Sequence, residues 1–268
     1  MANDYSDTSR IADQYSDSSN LDSRIILHEK YSIANGSFRE WQFDQFDLPS
    51  DAKILVLGCG SADVWSKNCE RIPSSWEITL TDLTPGMLNE ARYNLSDCSH
   101  SFEYHVLDAA RIPFEDEQFD AVTAHHMLYH VPNRDVAISE IHRVLRPAGH
   151  LYATTNGESN MQSIKEVVGE VLGDSLLDDS GFTLENGRKQ LAETFNEVTI
   201  TRREDALVVP KVEPLVAYAL SYSDVSKSKV EELREKFATR FEDGVFRDNK
   251  EVGMFVAKKS PSRRNRGR

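Results

Sequence analysis

Residues 54–65 read ILVLGCGSADVW, an apolar run that stops at two glycines and resumes with a helical pattern. β-Branched residues ending in Gly58-Cys59-Gly60 predict a buried parallel strand that turns sharply into a helix, where open α/β sheets receive nucleotides. A dinucleotide fingerprint needs a third glycine at position 63, which is Asp here, and no G-K-[ST] follows for a phosphate loop. What remains is a glycine turn bringing backbone amides close to a ligand at a helix N-terminus. That also suits the carboxylate of an amino-acid-like cofactor.

Outward from this turn the pattern alternates. Strands are expected at Lys53–Leu57, Trp76–Thr81, Phe102–Leu107, Phe119–Ala124 and Gly149–Thr155, with helices between most of them. One helix starts with Thr84 as N-cap and Pro85 at its first position. Another spans about Arg134 to Leu145, with Ala137, Ile141, Val144 and Leu145 inward, and stops at Pro147-Ala148-Gly149. Right-handed crossovers would assemble a parallel sheet with the first strand central. Beyond Asn156, helices are expected at Met161–Leu172 and Leu184–Phe195, strands at Glu197–Arg203 and Glu251–Lys258, and a mostly helical stretch at Glu213–Phe241.

Two acidic residues sit at successive strand ends. Asp82, 22 residues after Gly60, can accept hydrogen bonds from both hydroxyls of a ribose. Asp108 follows the third strand, where its carboxylate can accept from an adenine amine. Each alone reads as a turn residue; with the glycine turn, the three corners converge on one adenosyl ligand.

LVLGCGSAD, LTDLTPGMLNEAR, LDAARIPFEDEQFDAV, HMLYHV and HRVLRPAGHLYATTNG resemble the successive motifs of class I S-adenosylmethionine-dependent methyltransferases, in particular the small-molecule group related to quinone-ring methyltransferases. The likeness spans roughly residues 50–157. It implies a Rossmann-like α/β sheet, mostly parallel with the last strand antiparallel, helices on both faces and a helical lid. It also implies S-adenosyl-L-methionine as cofactor and a small-molecule acceptor at oxygen, nitrogen or carbon. By this resemblance Gly58, Cys59 and Gly60 wrap the methionine part, Asp82 holds the ribose, Leu83 and Met87 flank it, and Asp108 with Ala109 contacts adenine. The chain then divides into an N-terminal helical lid segment (1–49), a methyltransferase domain (50–258) with a helical insertion at about 205–245, and a disordered basic tail (259–268). Two positions depart from the family pattern: Val56 stands where an acid is common, and Ala62 where a glycine is. Without that acid, the cofactor's ammonium needs a backbone carbonyl near Gly58 or a side chain from the N-terminal helices, with Tyr15 and Tyr31 as lid contacts.

AHHMLYHVP, Ala124 to Pro132, follows the fourth strand, beside the expected position of the transferable methyl. His126 and His130 lie at i, i+4, but the H-E-x-x-H pattern of a zinc site would need Glu where Met127 stands, so no metal is expected. A phenol or carbon acid benefits from a base during methyl transfer, and imidazole titrates in the useful range. His126 and His130 are the candidates for base or substrate orienter, Tyr129 for substrate contact, and His125 for the cofactor pocket wall.

Charge narrows the acceptor. Net charge is −13, and the last eleven residues hold six Lys or Arg, leaving 25 basic against 44 acidic residues elsewhere. So acidic a body repels a nucleic-acid backbone, and an RNA methyltransferase, the alternative enzyme reading, would have to rely on the tail. A module that binds the cofactor without turnover is the non-enzymatic alternative, motivated by Val56 and Ala62. Three cysteines without a C-x-x-C pair suggest neither a disulfide framework nor a structural zinc. A reducing cytoplasm, no membrane span, no signal peptide and a homodimer through the N-terminal helices complete the expectations.

Overall fold

Strand β1 (Lys53–Leu57) is buried at four of its five positions, as an unbroken apolar run demands of a strand covered on both faces. The computed structural model describes residues 26–172, 181–221 and 227–261. Beside β1 lie β2 (Glu77–Asp82) and β4 (Phe119–His125), both parallel to it, with Ile54 opposite Ile78 on one side and Ala121 on the other. Strands β3 (Phe102–Val106), β5 (Leu145–Asn156), β6 (Glu197–Val209) and β7 (Phe246–Lys258) complete a seven-stranded sheet of order β3-β2-β1-β4-β5-β7-β6. β1 is the centre of the five parallel strands, and β7 runs antiparallel to both β5 and β6.

Helices cover both faces. α1 (Phe38–Asp44), α2 (Asp63–Lys67) and α3 (Pro85–Asn94) contribute Phe43, Trp65 and Ala91 to a core over β1 and β2. On the opposite face α4 (Arg134–Val144) buries Ala137, Ile138, Ile141 and Val144, beside α6 (Gly187–Ala192) with Leu191. A second core gathers α5 (Gln162–Leu172), α7 (Glu213–Leu220) and α8 (Val230–Ala238) over the outer halves of β6 and β7. Within α5, Ile164, Val167, Val168 and Val171 recur at helical spacing and are buried.

Several boundaries move from their expected places. Leu145 opens β5, opposite Phe119, where it was expected to close the preceding helix. The helix expected at Leu184–Phe195 is confined to α6. β6 and β7 extend to Val209 and back to Phe246, pairing without interruption, so the helical insertion between them covers 210–245 and not 205–245. The inward positions of the added segments include Asp205, Asp248 and Lys250, all buried, and these polar residues mask the apolar alternation of a strand. Lys259 continues the sheet edge, its amide donating to the Gly149 carbonyl at 3.0 Å, so the expected disordered tail does not begin there. Cys69 and Cys98 form a disulfide with Cα atoms 5.7 Å apart, against the expectation of none. They follow α2 and α3, which the fold sets side by side, and 29 residues of separation carry no cue to that proximity.

Candidate active site

The chain leaves β1 through Gly58 and Gly60, both left-handed at φ 59° and 53°. A Cβ on Gly58 would lie 3.0 Å from the Met127 Cβ, so the residue is bare to admit the loop after β4; a Cβ on Gly60 would meet nothing within 4 Å. The turn is tied to the next strand end, with the Cys59 amide donating to the Thr81 carbonyl at 2.8 Å and the Gly60 amide to Asp82 Oδ2 at 3.0 Å. Asp82 Oδ1 accepts the amide and hydroxyl of Thr84, both at 2.9 Å. The Thr84 hydroxyl thus fixes Asp82, and Thr84 makes no side-chain cap on α3. Ala62, where the family carries glycine, is left-handed at φ 61°. Burial and neighbouring Asp82 raise the Cys59 thiol pKa, so it stays protonated.

The third strand end is tied to the second, since the Leu107 amide donates to the Asp82 carbonyl at 3.1 Å. Asp108 Oδ1 accepts the Ala110 amide at 2.9 Å, which orients the carboxylate. Gly58, Cys59, Gly60, Asp82, Asp108 and Ala109 all line one cavity of about 950 Å³, with Leu83 and Met87 on its wall. Val56 lines it too, as does Asp63, whose carboxylate is held by the Ser61 hydroxyl at 2.8 Å and by Arg39 Nη2 at 3.2 Å. An acid therefore stands beside the glycine turn, although not at the position the family pattern uses.

His125, His126, Tyr129 and His130 line the same cavity. Arg39 Nη1 donates to Gln42 Oε1 at 3.2 Å, which turns the Gln42 amide so that Nε2 donates to Thr154 Oγ1 at 3.2 Å. Thr154 Oγ1 in turn shares a hydrogen bond of 3.2 Å with His125 Nδ1, and His125 Nε2 is buried and without a hydrogen-bond partner. His126 is left-handed at φ 52°, strain of the kind that collects at functional sites. Its amide donates to the Thr154 carbonyl at 3.0 Å, and its ring lies 5.6 Å from that of Phe38. Burial pushes the pKa values of His125 and His126 down to about 3, with Arg39 reinforcing the effect in both, so both are neutral at pH 7.

The remaining wall includes residues that the sequence did not single out. His28 lines the cavity from the helix at residues 26–31, where Tyr31 was the expected contact, and Arg203 and Lys250 line it from β6 and β7. Arg203 lies in an expected strand and Lys250 just before one, so only the phase of that pair would have exposed them. Tyr31 is not a wall residue; it packs against the second core, because the helix turns that face toward α5 and α7, so its expected contact with the cofactor is corrected. Tyr15 lies outside the described residues. No group of three His, Cys, Asp or Glu residues among those described is placed to hold a metal ion.

Residues 55–153 match the methyltransferase domain family. The matched stretch is 99 of the 268 residues and holds the corners at Gly60, Asp82 and Asp108. The ubiquinone/menaquinone biosynthesis C-methyltransferase of Chromobacterium violaceum is 31% identical over 133 residues, covering 46% of this chain and 54% of that protein. That of Bordetella avium is 34% identical over 130 residues, 46% of this chain and 51% of that one. The chain thus spans about half the length of these curated relatives. Among solved structures, a Bacillus halodurans protein described as a methyltransferase superposes with a TM-score of 0.60 at 22% identity, covering 84% of this chain and all of the other. Phosphoethanolamine N-methyltransferase 2 of Haemonchus contortus, solved with S-adenosyl-L-methionine, gives 0.57 at 18% identity, covering 90% of this chain and 56% of that one. At such identities the superpositions show the shared fold. No helix among the described residues is long and apolar enough to cross a membrane.

Proposed function

We propose that the protein transfers a methyl group from S-adenosylmethionine to a small-molecule acceptor held in the same cavity. The observation that carries this reading is continuity: the corners at Gly60, Asp82 and Asp108 open into the cavity that His126, Tyr129 and His130 line. The residues fit the cofactor. Asp82 offers a carboxylate to the ribose, Asp108 and Ala109 an edge to adenine, and the open space at Gly60 admits the amino-acid end beside Asp63.

When bound, the cofactor supplies an electrophilic methyl on sulfur, so the protein's task is alignment and exclusion of water. His125 brings an unpartnered Nε2 to the cavity wall. With its pKa near 3, His126 is a weak base and serves as an orienting group. His130, which lines the same cavity, is the remaining candidate to take a proton from a phenol or carbon acid. The N-terminal segment closes this end as a lid: the Ser32 hydroxyl donates to Asp205 at 2.7 Å, and the Ile33 amide donates to the Ala206 carbonyl at 3.0 Å.

Calorimetry with S-adenosylhomocysteine, followed by detection of its formation from S-adenosylmethionine across a metabolite panel, tests the reading. Saturable binding and turnover with at least one acceptor are expected. Binding without turnover would favour a non-catalytic cofactor module, and no binding by folded protein would refute the proposal.

A further inference from the structure

The lid end of the cavity is walled by β6 and β7, whose inward faces present Arg203 and Lys250. Both are almost fully buried, at 7% and 8% exposure. Lys250 Nζ meets Asp205 Oδ2 at 2.6 Å. The other Asp205 oxygen accepts from the Ser32 hydroxyl and the Ala34 amide. This carboxylate is already committed, and it stands behind the cavity wall. Asp248, the other buried acid of the pair of strands, accepts the Ser163 and Ile164 amides at the start of α5.

Arg203 has no carboxylate of its own. Its Nη2 donates to the Gly36 carbonyl at 2.6 Å, its guanidinium lies 5.6 Å from the Phe38 ring centre, and its Nη1 is buried with no hydrogen-bond partner. Among nearby acids, Glu40 is exposed and holds the Ser37 amide in the cap of α1, while Asp63 is taken by Arg39. Two buried cations therefore share one buried carboxylate, and the surplus charge faces the cavity. Burying a cation with an unsatisfied donor is unfavourable unless something compensates it, and a guanidinium is shaped to meet carboxylate or phosphate oxygens.

We infer that Arg203 recognises an oxyanion, carboxylate or phosphate, on the methyl acceptor. This rests on the methyltransferase reading above and adds the acceptor's chemical class. Arg203 stands on β6, four strand steps from β1 and its glycine turn, so the acceptor end of the cavity is assigned to it, and the cofactor's own carboxylate is the competing partner that the test separates. The Phe38 ring lies 5.6 Å from the Arg203 guanidinium and 5.6 Å from the His126 ring, so the proposed oxyanion site and the histidine cluster share one aromatic neighbour.

The test uses the full chain saturated with S-adenosylhomocysteine and titrated with small hydroxy- and amino-substituted aromatic carboxylates and phosphate monoesters. Each is matched with its neutral amide or fully esterified analogue. At least one oxyanion is expected to bind tenfold or more tightly than its neutral match, and comparison of the two sets decides between carboxylate and phosphate. Arg203→Met should remove that preference while leaving the S-adenosylhomocysteine Kd within twofold, and Arg203→Lys should restore part of it. Should Arg203→Met fail to fold, the matched pairs on the wild type still decide. Equal binding of charged and neutral members, or binding of none, overturns the inference alone. So does an Arg203→Met variant that weakens S-adenosylhomocysteine and leaves the oxyanion preference intact. Failure of S-adenosylhomocysteine to bind the wild type removes the methyltransferase reading and this inference together.

Discussion

The Asp82 carboxylate receives the Gly60 amide at 3.0 Å, so the residue proposed to hold a ribose also holds the glycine turn in shape. Asp82→Ala removes both roles and leaves the Gly60 and Thr84 donors without their acceptor. Each hydrogen bond to a charged group contributes about 1.5–3 kcal/mol, so the S-adenosylhomocysteine Kd should rise at least tenfold by calorimetry. Asp82→Asn keeps an acceptor and should retain more of the fold's stability than of cofactor affinity. A Kd unchanged in both variants would remove Asp82 from the binding site.

Gly58 and Gly60 share a left-handed backbone but differ in their surroundings, which separates strain from collision. At Gly60 the new methyl of an alanine meets nothing, so the stability cost is the left-handed strain, about 1–2 kcal/mol. At Gly58 the same strain is joined by the Met127 Cβ at 3.0 Å, and overpacking adds a further ~1–3 kcal/mol. Urea unfolding should therefore rank Gly58→Ala as the less stable variant. Gly60→Ala should lose cofactor affinity out of proportion to its stability, because its methyl points into open space that the cofactor needs.

Acid should destabilise the fold earlier than carboxylate protonation alone would. His28, His125 and His126 are pushed down to about 3, chiefly by burial and then by surrounding positive charge: Lys250, His126 and Arg39 for His28, His126 and Arg39 for His125, and Arg39, Lys250 and His130 for His126. The ordinary value for an imidazole is 6.5. Between these values the unfolded chain binds protons that the folded chain refuses, so stability is lost as pH falls from 6.5 toward 3. The slope approaches about 1.4 kcal/mol per pH unit for each fully depressed histidine. Unfolding free energies at pH 7, 6 and 5 should decline progressively, and His126→Asn should flatten the decline. A level profile over that range would mean that the imidazoles protonate within the fold.

How much of this was legible depended on whether a residue's role leaves a local pattern. β1 was legible to the residue because a strand covered on both faces must be a continuous apolar run. Asp82 and Asp108 were visible because strand ends place them, and the structure sets both on the cavity wall. Tyr31 failed because helix phase decides whether a side chain faces the cavity or α7, and one short helix with an uncertain start does not fix its phase. Arg203 and Lys250 stayed hidden for a different reason: they occupy inward positions of a strand pair where apolar residues are the rule. His28 had no pattern at all, since only the closure of the N-terminal segment over β6 brings it to the site.

The Cys69–Cys98 bridge is the least local of these features, and its consequence is measurable. It closes a loop of 29 residues that contains β2, Asp82 and all of α3, leaving Cys59 as the free cysteine. Restricting such a loop in the unfolded chain is worth roughly 3–4 kcal/mol in the chain-entropy account. Cys98→Ser, or reduction before unfolding, should lower stability by about that amount in urea. The Asp82 contacts to Gly60 and Thr84 do not involve the bridge, so cofactor affinity should change less than twofold. Thiol titration of the native protein is expected to find little reaction at Cys59, whose thiolate is disfavoured by burial and by Asp82. After unfolding without reductant, titration should count one thiol. Three thiols under those conditions would show that the bridge does not form.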